Sequence, residues 1–417
     1  MTALAVILVA SALATLGAPR AQAGPPSGDV VVDWNRTALN AIVSAGHPGP
    51  VQILDLAIVH AAIYDAVNSV DGRHSPYAIK VVPAPPSASQ QAAAATAAHR
   101  VLLNLFPAQQ GSLDAAYQQS MGEVPDGQAE DDGVSVGEQA AAGILALRSN
   151  DGRFANVPYQ PGSGPGAWVP TPPFPPNFPA LVPWVAKVTP FTARSSNQFR
   201  VDPPPALTSD LYTEDYEEVK TMGSRTGSGR TAEQTAIAEF FGEPPATAWS
   251  RAVQDIALAR NHSVADSARL FALVNLAAAD AQISCWENKY AYGFWRPITA
   301  IRAGGTDTNP LTAGDPSWEP LLVTPPFPEY SSGHATFTGA VTQVLADFYG
   351  TDHFSFTMSS TFSGTRRSYS RFSDVNKEVI DGRVWAGSHF RTADTVGAAA
   401  GNRIGHWVSK NVARPVT

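Results

Sequence analysis

The sequence predicts a mainly α-helical protein, and three observations carry that expectation. Apolar residues recur three and four positions apart over long stretches, as in Ile53, Leu56, Ala57, His60, Ala61 and Tyr64, which puts them on one stripe of a helix. No run of alternating strands, no βαβ unit and no Gly-rich phosphate loop breaks the series. No internal repeat of short period is present, which sets aside solenoid architectures.

The elements follow in order. Asp33–Val70 holds one long helical pattern, followed by Gln90–Phe106, Asp114–Gln119 and Gly133–Arg148. Residues 156–206 differ: Pro170-Thr171-Pro172-Pro173-Phe174-Pro175-Pro176 cannot sit inside a helix. The same stretch carries Trp168, Trp184, Phe174, Phe178, Phe191 and Phe199, so an ordered surface connector is expected rather than a disordered linker. Helices resume at Ser209–Met222, Thr231–Phe241 and Ala246–Arg260. Ser263–Trp286 is long and Ala-rich, with Asp280 on its apolar stripe, where it is expected to be buried and hydrogen-bonded. Gly333–Tyr349, Asp374–Ala386 and Thr395–Asn411 close the series.

Bulk composition bounds the function. Of 417 residues, 44% are hydrophobic and 15% charged, which supports a large core. The net charge of −8 argues against a nucleic-acid partner, which asks for a basic face. The single cysteine, Cys285, excludes an intrachain disulfide and leaves packing to hold the fold. Residues 2–17 are almost wholly apolar, and Ala21-Gln22-Ala23 resembles a small-residue cleavage site, so residues 1–23 read as an export signal. No Lys or Arg precedes that run, and a membrane anchor is the alternative. No later segment reads as a membrane span. The mature chain is therefore expected outside the cytoplasm and free of the membrane. One helical domain over 24–417 is expected, with an N-terminal half (24–155), the Pro-rich connector (156–206) and a catalytic half (207–417).

Three separated segments carry chemistry. Lys289-Tyr-Ala-Tyr-Gly-Phe-Trp-Arg296-Pro297 puts two cations around a helix end, with Gly293 as the stop and Pro297 as a block. Taken alone, such cations simply complement the helix dipole. Ser331-Ser332-Gly333-His334 leads into the apolar pattern Phe337, Val341, Val344, Leu345 and Phe348. Ser332 is a natural N-cap, and Gly333 lets an anion approach the first helical amides. An ordinary capped helix start with a surface histidine is the plain alternative. Arg383 and His389 are six positions apart, so a helix must break between them, most readily at Gly387. A core histidine is the plain alternative for His389. Together, one Lys, two Arg, a Ser-Gly helix start and two His make a complete set for a tetrahedral or trigonal-bipyramidal oxyanion.

The pattern Lys-x6-Arg-Pro, Ser-Gly-His and Arg-x5-His resembles the vanadium-dependent haloperoxidases and their relatives, the type 2 phosphatidic acid phosphatases and bacterial acid phosphatases. It is strongest over residues 230–407, and Trp34-Asn35-Arg36 and His60-Ala-Ala-Ile-Tyr-Asp65 are similar in style to secreted bacterial members. The resemblance implies an all-α fold of two four-helix bundles of the vanadium chloroperoxidase/acid phosphatase type. It implies vanadate as cofactor, with phosphate or sulfate taking the site in its absence. Lys289, Arg296 and Arg383 would neutralise the equatorial oxygens, with Ser332 and the Gly333 amide hydrogen-bonding to them. His389 would be the axial ligand of vanadium, and His334 the acid–base group. Trp286 and Phe327 match positions that shape the halide side, although both could be plain core. Glu243 is the candidate acid partner of His334, against the alternative of an exposed side chain. Glu287 is expected to face solvent or pair locally.

The implied activity is oxidation of halide by hydrogen peroxide to hypohalous acid, with a small organic acceptor and a homodimer as further expectations. The alternative enzyme is a secreted acid phosphatase with a phosphohistidine at His389. A non-catalytic helical binding protein that kept the fold is a third reading. Three departures motivate it: Ser331 stands where the family usually has Pro, Gly382 where it has Ser, and Ala393 where it has the acid that orients the axial histidine. Asp394, one place later, or a backbone carbonyl is the expected substitute.

Overall fold

The computed structural model describes residues 27–416, so the export signal lies outside the described residues. The chain is helical, as the periodicity predicts. The pattern over Asp33–Val70 is two helices, α1 (Val30–Ser44) and α2 (Gly49–Asp71), because Gly46-His47-Pro48 intervenes and Pro48 is the N-cap residue of α2. α3 (Gln90–Leu105), α4 (Gln110–Met121) and α5 (Gln128–Arg148) complete the N-terminal half, where α2, α3 and α5 pack on one another. By length and composition α2 does qualify as a membrane span, against expectation. Yet 89% of its apolar window is buried, so it is spent as a core helix of this fold.

The connector is irregular apart from a 3-10 turn at Pro183–Lys187. It is held by buried anchors. Asp280 accepts from the Phe191 amide (2.6 Å), the Thr192 amide and hydroxyl (2.8 and 2.5 Å) and the Ala193 amide (2.8 Å). Glu287, expected at the surface or in a local pair, is instead buried and paired with Arg200 of the connector, whose Nε lies 2.9 Å away. Trp168 is fully buried, and Trp184 and Phe191 join the main core. The aromatic content of the connector is what docks it.

The second half holds α6 (Asp210–Met222), α7 (Ala232–Phe240), α8 (Pro245–Ala259), α9 (Val264–Tyr292), α10 (Pro297–Arg302), α11 (Gly333–Tyr349), α12 (Phe372–Trp385) and α13 (Arg391–Asn411). α9 packs against α2 on one side and against α11 and α13 on the other, so one long helix serves both bundles. That is why its buried positions cover almost every face. α11 and α13 approach closely through small residues. A Cβ at Gly405 would meet the Ala340 carbonyl oxygen at 2.5 Å, and one at Gly401 would collide with the Thr336 carbonyl. This contact sets the start of α11 beside the start of α13, where the Ser332 amide donates to the Ala393 carbonyl at 3.1 Å.

The sequence reading missed one element. β1 (His353–Ser360) and β2 (Thr365–Arg371) form an antiparallel hairpin between α11 and α12. Phe354, Phe356 and Met358 alternate along β1, but β2 is almost entirely polar.

Candidate active site

Three helix ends meet at one buried point. Gly293 adopts left-handed backbone (φ 56°) and its amide donates to the Lys289 carbonyl, so α9 ends one turn past Lys289. Pro297 opens α10, with Arg296 as N-cap residue. Ser332 caps α11 and accepts from the Ala335 amide at 3.5 Å. α12 stops at Trp385, and Gly387 (φ 73°) turns the chain where a Cβ would lie 2.7 Å from the Gly223 carbonyl oxygen. Arg383 thus sits in the last turn of α12 and His389 just beyond it. Lys289, Arg296 and Ser332 have no accessible surface, whereas Gly333 and His334 are half-buried, so the pocket opens on their side.

The two arginines carry the most direct signal. Arg296 donates from Nε to the Phe327 carbonyl (2.9 Å) and from Nη1 to the Ser388 carbonyl (3.0 Å) and His389 Nε2 (3.4 Å). Its Nη2 is buried with no partner. Arg383 donates from Nη1 to the Phe241 carbonyl at 2.9 Å, and its buried Nε has no partner. A buried donor left unmade costs about 1–3 kcal/mol. Two of them, on neighbouring buried guanidinium groups, mark a place for an acceptor that the protein does not supply. Burial brings both guanidinium pKa values down to about 10, so both remain charged at neutral pH. The Gly333 and His334 amides, at the start of α11, add helix-terminal donors.

Lys289 behaves differently from expectation. Its ammonium donates to the carbonyls of Pro328 (3.1 Å), Glu329 (2.8 Å) and Ser331 (2.6 Å), so its three protons are taken by the turn before α11. It supplies charge from behind that turn and fixes the turn's path. Burial pulls its pKa down to about 8.

Both histidines have assigned tautomers. His389 Nδ1 lies 2.7 Å from Glu329 Oε1, which also accepts from the Phe390 amide at 3.2 Å. Arg296 donates to His389 Nε2, so the ring proton is on Nδ1 and the Nε2 lone pair faces the cations. His334 Nε2 donates to the Glu243 main-chain carbonyl at 3.1 Å, which leaves its Nδ1 as the free acceptor. Burial, then the charge of Arg383, holds His334 well below the usual imidazole range. Burial, then Arg296, does the same to His389.

This corrects two expectations. The partner of His334 is the Glu243 carbonyl, not its carboxylate, which is buried and bound to Arg251 (2.7 Å) and the Thr361 amide and hydroxyl (3.0 and 2.8 Å). Nor does Asp394 support His389. It is fully buried and makes no hydrogen bond to His389, and burial pushes its pKa well above the carboxylate range despite Ser332 and Arg383 nearby.

Trp286 and Phe327 pack together, with ring centroids 5.0 Å apart, and Trp286 lies 3.4 Å from where a Gly333 Cβ would be. Phe327 also covers the cations, with Arg296 Cζ 4.9 Å and Lys289 Nζ 5.2 Å from its centroid. They form an apolar wall beside the start of α11.

Residues 269–417 match the family described as the VCPO second helical-bundle domain. The vanadium chloroperoxidase of Curvularia inaequalis is 28% identical over 405 residues, covering 76% of this chain and 65% of its own length. This chain therefore spans a little under two thirds of that relative. A bacterial vanadium-dependent iodoperoxidase superposes with a TM-score of 0.80 at 25% identity, over 95% of this chain and 100% of that one. A holo-type bacterial vanadium-dependent chloroperoxidase gives a TM-score of 0.70 at 19% identity, over 87% of this chain and 91% of that one. The chain is thus similar to vanadium-dependent haloperoxidases, with the family match confined to residues 269–417.

Within this pocket, one departure from the resembled family pattern has a packing reason. A Cβ at Gly382 would sit 3.0 Å from Phe241 Cδ2 and 3.3 Å from the Ile237 carbonyl, because α12 lies directly on α7. Sequence reasoning missed Glu329 altogether. It is the one acid between Thr324 and His334, three residues before the helix cap, and that isolation was its only signal.

Proposed function

We propose that this protein binds vanadate and oxidises halide with hydrogen peroxide to hypohalous acid. The observation that supports it most is the pair of buried guanidinium donors, Arg296 Nη2 and Arg383 Nε, left without partners, with Arg296 also bonded through Nη1 to His389 Nε2. That set fits an oxyanion. Arg296, Arg383 and the Gly333 and His334 amides would hold the oxygens, and His389 Nε2 would ligate the metal. When bound, vanadate supplies the Lewis-acid centre at which peroxide is activated toward halide. The chain supplies the rest. The arginines offset negative charge in a water-poor pocket, and the ring proton of His389 stays on Nδ1. His334 Nδ1, neutral and half-exposed, takes a proton at the pocket mouth and returns it. Trp286 and Phe327 would shape the halide side.

Several finer points belong to this reading. Phosphate or sulfate would fill the same donors when vanadate is scarce. The acceptor of the oxidised halogen is a small organic molecule, and the chain is a candidate homodimer. The N-terminal apolar segment with Ala21-Gln22-Ala23 supports export, after which residues 24–417 act as one helical unit.

The test is vanadate reconstitution followed by peroxidase assays with chloride, bromide and iodide in turn, using an activated aromatic acceptor. Phosphomonoesterase activity is measured on the same sample. Turnover with at least one halide is expected. No turnover with any of the three would overturn the proposal, and vanadate-inhibited phosphatase activity in its place would establish the hydrolytic reading.

A further inference from the structure

We infer that Glu329 is the positioning residue of His389, taking over the role that an acid on α13 has in the family pattern. The inference rests on the vanadate-binding reading above for its functional meaning, but on local geometry for its substance. Glu329 has no accessible surface, and its Oε1 is 2.7 Å from His389 Nδ1. The Phe390 amide donates to the same oxygen at 3.2 Å, so the carboxylate binds both the ring and the backbone that carries it. The acid that the family pattern would favour, Asp394, makes no hydrogen bond to the ring.

The tautomer follows from hydrogen-bond direction alone. Oε1 already accepts from an amide, and Arg296 Nη1 donates to Nε2. Only a ring protonated on Nδ1 satisfies both neighbours. A carboxylate on the far nitrogen of a ligating imidazole fixes ring orientation and raises the basicity of the ligating nitrogen. Glu329 is itself placed by Lys289, whose ammonium binds the carbonyls on either side and of Glu329 itself. Support for His389 has thus moved from the helix that follows it to the turn that precedes α11. The two supports differ in what they couple. An acid on α13 would tie His389 to the helix that follows it, whereas Glu329 ties it to the turn leading to Ser332 and Gly333.

The experiment compares Glu329→Ala, Glu329→Gln and Asp394→Asn with the wild-type full chain. Histidine is labelled with nitrogen-15, and His389 is assigned among the nine histidines by its loss in His389→Ala. The nitrogen shifts report the tautomer without any ligand. Vanadate affinity is read separately by equilibrium dialysis with metal analysis. The wild type should show His389 protonated on Nδ1. Glu329→Ala should lose that single tautomer and bind vanadate about 10- to 100-fold more weakly. Glu329→Gln keeps an acceptor, so it should keep the tautomer but lose affinity by about tenfold. Asp394→Asn should keep the tautomer. A retained tautomer and wild-type affinity in Glu329→Ala would overturn the inference. If that variant does not fold, wild-type affinity in Glu329→Gln overturns it. Loss of the tautomer in Asp394→Asn would assign the role to Asp394. If the wild type binds no vanadate, the cofactor reading fails, and the tautomer comparison still decides the role of Glu329.

Discussion

Buried charge in the N-terminal bundle and buried charge in the pocket are handled in opposite ways. Asp65 on α2 accepts the amides of Tyr77 (2.6 Å), Ala78 (2.9 Å) and Ile79 (2.7 Å), and Asp280 on α9 accepts four bonds from Phe191–Ala193. Each carboxylate pins a loop to a core helix and has its acceptor capacity used. Arg296 and Arg383 are as deeply buried, yet each keeps a donor with no acceptor. A finished network contributes stability and an unfinished one awaits a ligand. Function is therefore read here from what is left unsatisfied, more than from where charge is buried.

The largest expected effect breaks the finished side. Asp280→Ala would strand three amides and the Thr192 hydroxyl under the connector. We expect a loss of about 4 kcal/mol in denaturant unfolding, in the range for breaking a buried hydrogen-bonded network. Oxyanion affinity of the folded fraction should stay at the wild-type value, since Asp280 touches no pocket residue. Arg383→Lys attacks the unfinished side. It keeps the positive charge near Asp394 but deletes the unpartnered Nε donor. One charge-assisted hydrogen bond to the oxyanion lost predicts a fall in vanadate affinity of about 10- to 100-fold by dialysis, and loss of the Nη1 bond to the Phe241 carbonyl a smaller stability cost than in Asp280→Ala, about 1–3 kcal/mol. Equal stability losses in the two variants would break the comparison.

pH separates the same two behaviours at smaller amplitude. Lys289 titrates near 8 in the folded protein because burial disfavours its charge. Its positive charge favours oxyanion binding, and burial pushes the neighbouring Glu329 carboxyl up to about 8, so both groups make the pocket less cationic through this window and affinity should fall as pH rises through it. Sulfate is the suitable probe, since its charge is constant over this range. The unfolded chain keeps that proton up to its ordinary value of 10.5. Between about 8 and 9, below the range where the buried Cys285 thiol acts in the opposite direction, the unfolded state therefore binds more protons at this group, and its contribution to the stability of the empty protein should rise with pH. Binding and stability thus move in opposite directions through one window. A parallel fall in both would show that the loss of affinity is only unfolding.

Much of the site was legible because its parts are punctuated locally. Gly293, Ser332 and Gly387 stop, start and turn helices by rules that act over a few residues, and they place Lys289, Arg296, Gly333, Arg383 and His389 at helix ends. What stayed hidden depends on long-range path. Glu329 and His389 are 60 residues apart, and their meeting is set by Lys289 binding the carbonyls around Glu329. No spacing rule encodes that. The split of α1 from α2 was legible at Pro48, but the apolar period runs through it and masked the break. The hairpin was half visible, since β1 alternates and β2 does not.

Glu243 gives the smallest expected effect and the sharpest discrimination between side chain and main chain. Its carboxylate holds Arg251 and the hairpin turn at Thr361, while its carbonyl receives the His334 ring proton. Glu243→Gln keeps the carbonyl and weakens only the ion pair and the Thr361 contacts. Because Arg251 is partly exposed, the cost should be about 1 kcal/mol in unfolding. The pH profile of peroxidase turnover should be unchanged, since the group facing His334 is the peptide oxygen. If the profile shifts instead, the carboxylate is acting on His334 through space, and the acid–base pairing expected from the family pattern is restored. The contrast with Glu329 then becomes a general point about this pocket. Glu329 reaches its histidine with a side chain, so Glu329→Gln is predicted to be felt at the metal site, whereas Glu243 reaches its histidine with a peptide oxygen, and Glu243→Gln is predicted to be silent there.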